Sequence, residues 1–283
     1  MADQAQNLRE LVGRKQELRI ISIASGKGGV GKSSIAVNLA VVLSRFGTRV
    51  LVVDADFGLA NVDVMLGVTS KYNFSHFLRG EKELAEIIQL GHEGVRFISG
   101  GSGMGDLLSM DEEQRTGLLS SLVRLETPID IIIMDIGAGI NDSIIQMVLA
   151  SSETIIVTTP EPTSILDAYA LIKTIVKRRS SHPIHVLVNK ADNKKEAARV
   201  EEGFVEVVDR HLSKSVNPLG LIMFDYEVSK SIKRQVPITV SEPGGVTSRE
   251  IESVARAILN VPAGRETQGI LSRIFSRVLG GSD

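Results

Sequence analysis

The chain has 283 residues, of which 43% are hydrophobic and none is cysteine, and its formal net charge is −2. This hydrophobic fraction is enough for a buried core, and the lack of cysteine excludes disulfides, thiolate zinc sites, cysteine-held iron–sulfur clusters and cysteine nucleophiles. The near-neutral charge gives no overall attraction to nucleic acid.

The N-terminal sequence MADQAQNLRE is polar, which is not typical of a signal peptide. No apolar run approaches the roughly 18 residues of a membrane span. We therefore expect a cytoplasmic protein.

Short β-branched and apolar runs alternate with segments of helical period. The predicted strands are Arg19–Ala24, Arg49–Asp54, Val95–Ser99, Ile129–Asp135, Thr154–Thr159, Pro183–Asn189 and Leu219–Phe224. The predicted helices are Lys32–Phe46, Glu112–Leu125, Ser143–Ala150, Ser164–Lys177, Lys194–Leu212 and Ser248–Leu259. This alternation predicts an α/β fold over 19–260, a doubly wound and mostly parallel sheet with helices on both faces. A polar arm (1–18) precedes it, and a linker and terminal helix (261–283) follow.

A phosphate-binding loop follows the first predicted strand. Residues 26–33, GKGGVGKS, match G-x-x-x-x-G-K-[ST] between a strand and a helix. In this pattern glycines let backbone N–H groups turn toward phosphate oxygens, the lysine reaches the β- and γ-phosphates, and the serine binds Mg²⁺. The expected nucleotide-binding residues of the loop are Gly26, Gly28, Gly29, Val30, Gly31, Lys32, Ser33 and Ser34.

Lys27 is a second lysine that an ordinary phosphate loop does not need. It could contact its own phosphates, those of a partner, or solvent. The sequence GKGGVGKS resembles the deviant Walker A motif of the MinD/ParA family, whose members are P-loop ATPases that dimerise. The resemblance implies that Lys27 crosses a homodimer interface to the other subunit's nucleotide, that ATP/ADP and Mg²⁺ are bound, and that hydrolysis is slow and depends on dimerisation.

Two aspartates follow the second predicted strand. Carboxylates at the C-terminal ends of parallel strands face the ligand crevice. The segment DADFGLAN at 54–61 resembles switch I of MinD-like proteins. The resemblance implies that Asp56 positions the attacking water, that Asp54 supports the hydration shell of the metal, and that Asn61 belongs to the switch. Capping of a turn or helix is the alternative for both aspartates.

The fourth long strand, Ile129–Asp135, has the pattern of a Walker B strand that ends in a carboxylate. Asp135 would then hold Mg²⁺ together with Ser33. Gly137 allows a backbone N–H to approach the γ-phosphate, so this segment would act as a switch that distinguishes ATP from ADP.

Two further loops follow predicted strands. Ser164 is expected to cap the next helix, and the family resemblance implies that Glu161 faces the nucleotide of the partner. The sequence Asn189-Lys190-Ala191-Asp192 also matches the guanine-reading motif of many GTPases. The MinD-like motifs favour ATP, with Asn189 as the adenine contact and with Lys190 and Asp192 as loop charges.

An amphipathic stripe lies beyond the break at 261–264. Its apolar residues are Ile270, Leu271, Ile274, Phe275, Val278 and Leu279, and arginines flank them. Spacings of one and four place the six on one side of a helix, which is typical of a helix lying on an anionic membrane surface. Packing against its own domain is the alternative.

The arm carries the segment DQAQNLR at 3–9, which is similar to the N-terminal segment of the FlhG group (also called FleN or YlxH) of MinD-like ATPases. The resemblance extends over nearly the whole chain. It implies a regulator of flagellar number and placement whose arm binds the FlhF-type GTPase and stimulates it. The arm residues concerned are Asp3, Gln4, Ala5, Leu8 and Arg9, with Gln4 implied in the stimulation.

Other functions of the same fold receive less support from the sequence. A ParA-like DNA-partitioning ATPase would use basic residues such as Lys173, Lys177 and Lys230, but the net charge and the striped tail make DNA an unlikely partner. A bacterial tyrosine kinase of this fold carries a tyrosine-rich tail, which this chain does not have. Flagellar basal-body proteins and a transcription factor remain open as downstream partners.

Overall fold

The structure is a computed structural model that describes residues 18–56, 61–100, 118, 121–122 and 125–260. Within these residues, eight strands form one sheet in the order β3-β4-β2-β5-β1-β6-β7-β8. The strands are β1 (Arg19–Ser25), β2 (Val50–Ala55), β3 (Gln89–Leu90), β4 (Arg96–Ile98), β5 (Ile131–Ala138), β6 (Glu153–Thr158), β7 (Ile184–Ala191) and β8 (Asn217–Met223). Neighbouring strands are parallel except for the edge pair of β3 and β4.

Helices connect the strands and are numbered here over the described residues. They are α1 (Lys32–Arg45), α2 (Val62–Met65), α3 (Phe74–Leu78), α4 (Leu84–Ile87), α5 (Asp142–Ala150), α6 (Pro162–Arg178), α7 (Lys194–Leu212), α8 (Tyr226–Arg234), α9 (Ile238–Ser241) and α10 (Val246–Asn260). A short 3₁₀ helix covers His92–Gly94.

Among the described residues, the two large hydrophobic cores lie on opposite faces of the sheet. In β1, Ile20 and Ala24 belong to the core that also contains side chains of α5, α6 and α7. Ile21 and Ile23 point the other way and belong to the core shared with α1 and α10. This alternation buries both faces of the central strand. The predicted doubly wound fold is confirmed.

Several element bounds differ from the prediction. β5 continues three residues beyond Asp135 to Ala138, so Asp135 does not end its strand as predicted. The edge strand β3 and the helix α8 were not predicted, because β3 has only two residues and α8 has few apolar positions. The predicted helix Glu112–Leu125 falls largely outside the described residues.

At the start of β1, Arg19 contacts α10, the last helix among the described residues. Arg19 Nη1 donates to the backbone oxygen of Ile258 in α10 at 2.9 Å, and Arg19 Nε donates to Glu153 at 2.9 Å. The described chain therefore enters and leaves the domain at the same end of the sheet. The amphipathic stripe and the arm residues 3–9 lie outside the described residues, and none of the helices that are described is long and apolar enough to cross a membrane.

The buried residue His182 should make the free energy of unfolding depend on pH. Burial lowers the pKa of His182 to about 3, and its Nε2 lies 2.7 Å from Thr154 Oγ1. In the unfolded chain histidine titrates near 6.5, so the unfolded state binds the extra proton between these two values. We expect the free energy of unfolding to fall by about 2 kcal/mol from pH 7.5 to pH 5 through this residue alone.

Urea denaturation at both pH values would measure this loss. The variant His182→Gln has no group that titrates there, so its stability should fall less between pH 7.5 and pH 5 than that of the unmodified chain. Equal losses in the two proteins would contradict the assignment to His182.

Candidate nucleotide-binding site

The loop between β1 and α1 has the conformation needed for an anion site. Gly31 precedes α1 with φ 98°, a left-handed conformation that favours glycine. The first turn of α1 carries no acidic residue, so the positive end of the helix dipole is not neutralised by the helix itself. The loop therefore presents, at the C-terminal edge of the sheet, a helix N-terminus that no acidic residue of its own first turn neutralises.

Lys32 is the first residue of α1 and is buried. Its burial lowers the pKa of its ammonium group, although the carboxylates of Asp135 and Asp56 act in the opposite direction. A buried cation costs free energy unless it is compensated. Phosphate oxygens would supply that compensation.

Gly26 lies against helix α6 with no room for a side chain. A Cβ on Gly26 would lie 2.4 Å from the backbone carbon and oxygen of Asp167. A Cβ on Gly28 would meet nothing within 4 Å. The start of the loop, at Gly26, therefore packs directly against the backbone of α6.

Asp54 organises the segment that follows β2. Its Oδ2 accepts from the backbone N–H groups of Asn61 and Val62 at 2.8 and 3.1 Å, and its Oδ1 accepts from Asp56 N at 3.1 Å. Burial raises the pKa of the Asp54 carboxyl, and these three backbone donors oppose the shift. These contacts correspond to the turn-capping alternative for Asp54, whose role toward the metal stays a prediction.

Asp56 and Gly137 lie side by side. The Oδ1 of Asp56 is 3.2 Å from the position that a Cβ on Gly137 would take. The two predicted switch segments, after β2 and at the end of β5, are therefore in direct proximity. Phe57–Ala60 lie outside the described residues.

Asp135 is buried on β5 beneath the loop. Burial raises the pKa of its carboxyl to about 7, with Asp54 and Asp56 adding to the rise and Lys32 and Ser33 opposing it. Ser33 is close enough to lower the pKa of this carboxyl, but neither Asp135 oxygen has a hydrogen-bond partner of normal geometry among the described residues.

Two buried oxygens without hydrogen-bond partners fit a cation site. The described residues contain no group of three or more carboxylate or histidine side chains that could hold a metal by itself. Mg²⁺ commonly binds through one or two protein ligands together with substrate phosphates and water. Ser33 and Asp135 fit that pattern.

The side chain of Lys27 contacts the start of α6. Its Nζ forms an ion pair with the Glu161 carboxylate and donates to Thr163 Oγ1 at 2.9 Å. Both side chains are well exposed, and Lys27 lowers the pKa of Glu161. Lys27 and Glu161 thus meet within one subunit.

Ser164 does not cap helix α6, contrary to the prediction. The helix begins at Pro162, and Glu161 occupies the N-cap position without a side-chain hydrogen bond. Ser164 is the third helical residue, and its Oγ accepts from Thr159 N at 3.0 Å. Proline at the first helical position moves the start two residues earlier.

Asn189 and Lys190 contact the phosphate loop directly. Asn189 Nδ2 donates to the backbone oxygen of Val30 at 2.7 Å, and Lys190 Nζ donates to that of Gly29 at 2.7 Å. Lys190 is therefore more than the loop charge that was predicted. Asp192 is exposed beyond them.

Most of the predicted site residues line one cavity of about 390 Å³. It is lined by Gly28, Gly29, Gly31, Lys32, Ser33, Ser34, Asp56, Asn61, Asn189 and Lys190. Seven other predicted residues are not part of the lining: Gly26, Lys27, Val30, Asp54, Asp135, Gly137 and Glu161.

The cavity continues over residues that the sequence analysis missed. Ile222, Phe224, Asp225 and Val228, from the end of β8 and the start of α8, form its far wall. Because ligands bind at the carboxyl ends of parallel strands, the end of the last predicted strand, Phe224, could have been included.

Comparisons with known proteins agree with this architecture. The family model described as ParA, "NUBPL iron-transfer P-loop NTPase", matches residues 17–259. The antiactivator FleN of Pseudomonas aeruginosa is 34% identical over 95% of this chain and 96% of that protein. The flagellum site-determining protein YlxH of Helicobacter pylori is 33% identical over 90% of this chain and 86% of that protein.

Among solved structures, the MinC:MinD cell division complex of Aquifex aeolicus matches with a TM-score of 0.69 and 25% identity. The match covers 87% of this chain and 99% of that one. The chain therefore belongs to the ParA family of P-loop NTPases and is a MinD-like ATPase.

Proposed function

We propose that the chain is an ATP-dependent dimerising ATPase that associates with the membrane through its tail, regulates flagellar number and placement, and activates an FlhF-type GTPase through its arm. The two relatives are named as an antiactivator and a flagellum site-determining protein, and these names support the flagellar role. The observation that carries the dimerisation proposal is the position of Lys27, outside the cavity that contains Lys32.

Lys27 is poorly placed to serve the nucleotide of its own subunit. It is absent from the cavity lining, and its ammonium group is held by Glu161 and Thr163. An exposed ion pair of this kind is weak. It can therefore open when a second subunit brings phosphates, a stronger anionic partner, to the same surface.

The remaining residues suit phosphoryl transfer from ATP to water. Lys32 and the helix N-terminus would neutralise the charge that develops on the phosphates. Ser33 and Asp135 would hold Mg²⁺, which neutralises phosphate charge when it is bound. Asp56, beside Gly137, would orient the attacking water.

Replacement of Lys27 tests the dimer proposal. Lys27→Ala should stay monomeric with a non-hydrolysable ATP analogue, because no cation would reach the nucleotide of the partner, while the cavity keeps its nucleotide affinity. Light scattering would measure the mass. Lys177→Ala removes the same charge at the exposed far end of α6 and should dimerise like the unmodified chain. An ATP-dependent dimer of Lys27→Ala would overturn the proposal.

Co-sedimentation with anionic liposomes tests the membrane proposal. We expect the full chain to pellet with the ATP analogue and to stay in solution with ADP, because two tails on one dimer bind with avidity. A chain that ends at Gly264 should stay in solution with either nucleotide. If the full chain pellets with neither nucleotide, the membrane role is wrong, and packing of the stripe against the domain is favoured.

A further inference from the structure

The end of β7 departs from regular strand geometry at Asn189 and Lys190. In a regular strand, consecutive side chains point to opposite faces. The pairing of β7 with β8 shifts register between Val188 and Ala191, and Lys190 has φ 58°. This bulge lets two consecutive side chains reach the same target, which is the phosphate loop.

A left-handed conformation is unfavourable for a lysine and persists where surrounding contacts fix it. The contacts here are the two hydrogen bonds of 2.7 Å to consecutive loop carbonyls, from Asn189 to Val30 and from Lys190 to Gly29. Asn189 is buried, and a Cβ on Gly31 would lie 2.5 Å from its Nδ2. The loop is therefore packed against the Asn189 amide.

These two bonds set the orientation of two peptide groups. In a planar trans peptide, the C=O of one residue points opposite to the N–H of the next. Fixing the carbonyls of Gly29 and Val30 toward β7 therefore turns the N–H groups of Val30 and Gly31 away from β7. A phosphate loop binds its anion through such N–H groups.

We propose that Asn189 and Lys190 are positioning residues that preorganise the phosphate loop for polyphosphate, in addition to any contact with the nucleobase. An amide can donate through its nitrogen and accept through its oxygen at once, so Asn189 can hold the loop and contact a base together. The inference rests on the proposed nucleotide site and extends it, because it assigns to these residues an effect on ligands that have no base.

Inorganic tripolyphosphate with Mg²⁺ separates the two roles, since it carries phosphates without a base. Isothermal titration of the full nucleotide-free chain would compare tripolyphosphate with a non-hydrolysable ATP analogue. We expect Asn189→Ala and Lys190→Met to weaken the binding of both ligands by about three- to tenfold, the range of a lost hydrogen bond.

Lys190→Arg is the conservative control, because it keeps a long side chain with a donor. Its affinity for tripolyphosphate should stay within about twofold of the unmodified chain. Lys190 is exposed, so its variants should fold even if Asn189→Ala is unstable.

Two outcomes would overturn the inference. One is that the variants weaken only the ATP analogue, which would make these residues base contacts alone. The other is that the unmodified chain binds the ATP analogue but not tripolyphosphate. If the unmodified chain binds tripolyphosphate and not the ATP analogue, the proposed function fails, and the variants still decide the role of the loop.

Discussion

Replacing Lys32 with alanine should lower the rate of ATP hydrolysis by at least about 100-fold, the usual effect of removing one charge-stabilising group from an active site. Lys32 is the cation at the start of α1, and its burial lowers its pKa. Removing it leaves the carboxylates of Asp56 and Asp135 without the positive charge that lies nearest the phosphates. A phosphate-release assay at saturating ATP would measure the change.

The same variant should stay monomeric with the ATP analogue, because an ATP-bound dimer requires tight nucleotide binding. A Lys32→Ala protein that hydrolyses ATP within tenfold of the unmodified rate would show that Lys32 lies outside the machinery.

Gly26→Ala should destabilise the protein and abolish nucleotide binding. Its Cβ would lie 2.4 Å from the carbonyl of Asp167 in α6. Because that neighbour is backbone, either the helix or the phosphate loop must move. Overpacking of this kind typically costs about 1–3 kcal/mol. Thermal unfolding and titration with the ATP analogue would measure the two effects.

Gly28→Ala is the matched control for stability. Both variants add one methyl group to the same loop, but the Cβ on Gly28 would meet nothing within 4 Å. Without nucleotide, Gly28→Ala should unfold close to the temperature of the unmodified chain. Equal destabilisation by the two variants would contradict the close packing of the loop on α6.

The sequence predicted the elements that have a strong local signal. Buried strands of β-branched residues, such as those around Ile20 and Ile133, and the glycine spacing of the phosphate loop need no tertiary information. Lys32 after β1, Asp56 after β2 and Asp135 within β5 lie near one another, as the sequence predicted. The two-residue edge strand β3 has too few residues for any periodicity.

The contacts of Asn189, Lys190 and Glu161 depend on tertiary structure and could not be predicted from local patterns. Asn189 reaches Val30 across 159 positions of the chain. The register shift in β7 that turns Lys190 toward the loop has no glycine or proline to mark it. Ser164 was misassigned because its hydroxyl bonds backward to Thr159 from inside the helix, an arrangement that resembles a cap in sequence.

The hydrogen bond between Arg19 and Ile258 affects what fluorescent dyes attached to the two ends of the domain can detect. The first and last described residues of the domain lie at the same end of the sheet. The seven residues of β1, at about 3.3 Å each, separate this end from the nucleotide site by roughly 20 Å. A donor and acceptor dye placed at Leu18 and Asn260 should keep one distance through the nucleotide cycle. Fluorescence changes from a dye at either end would then arise from subunit association or from binding of a partner or membrane.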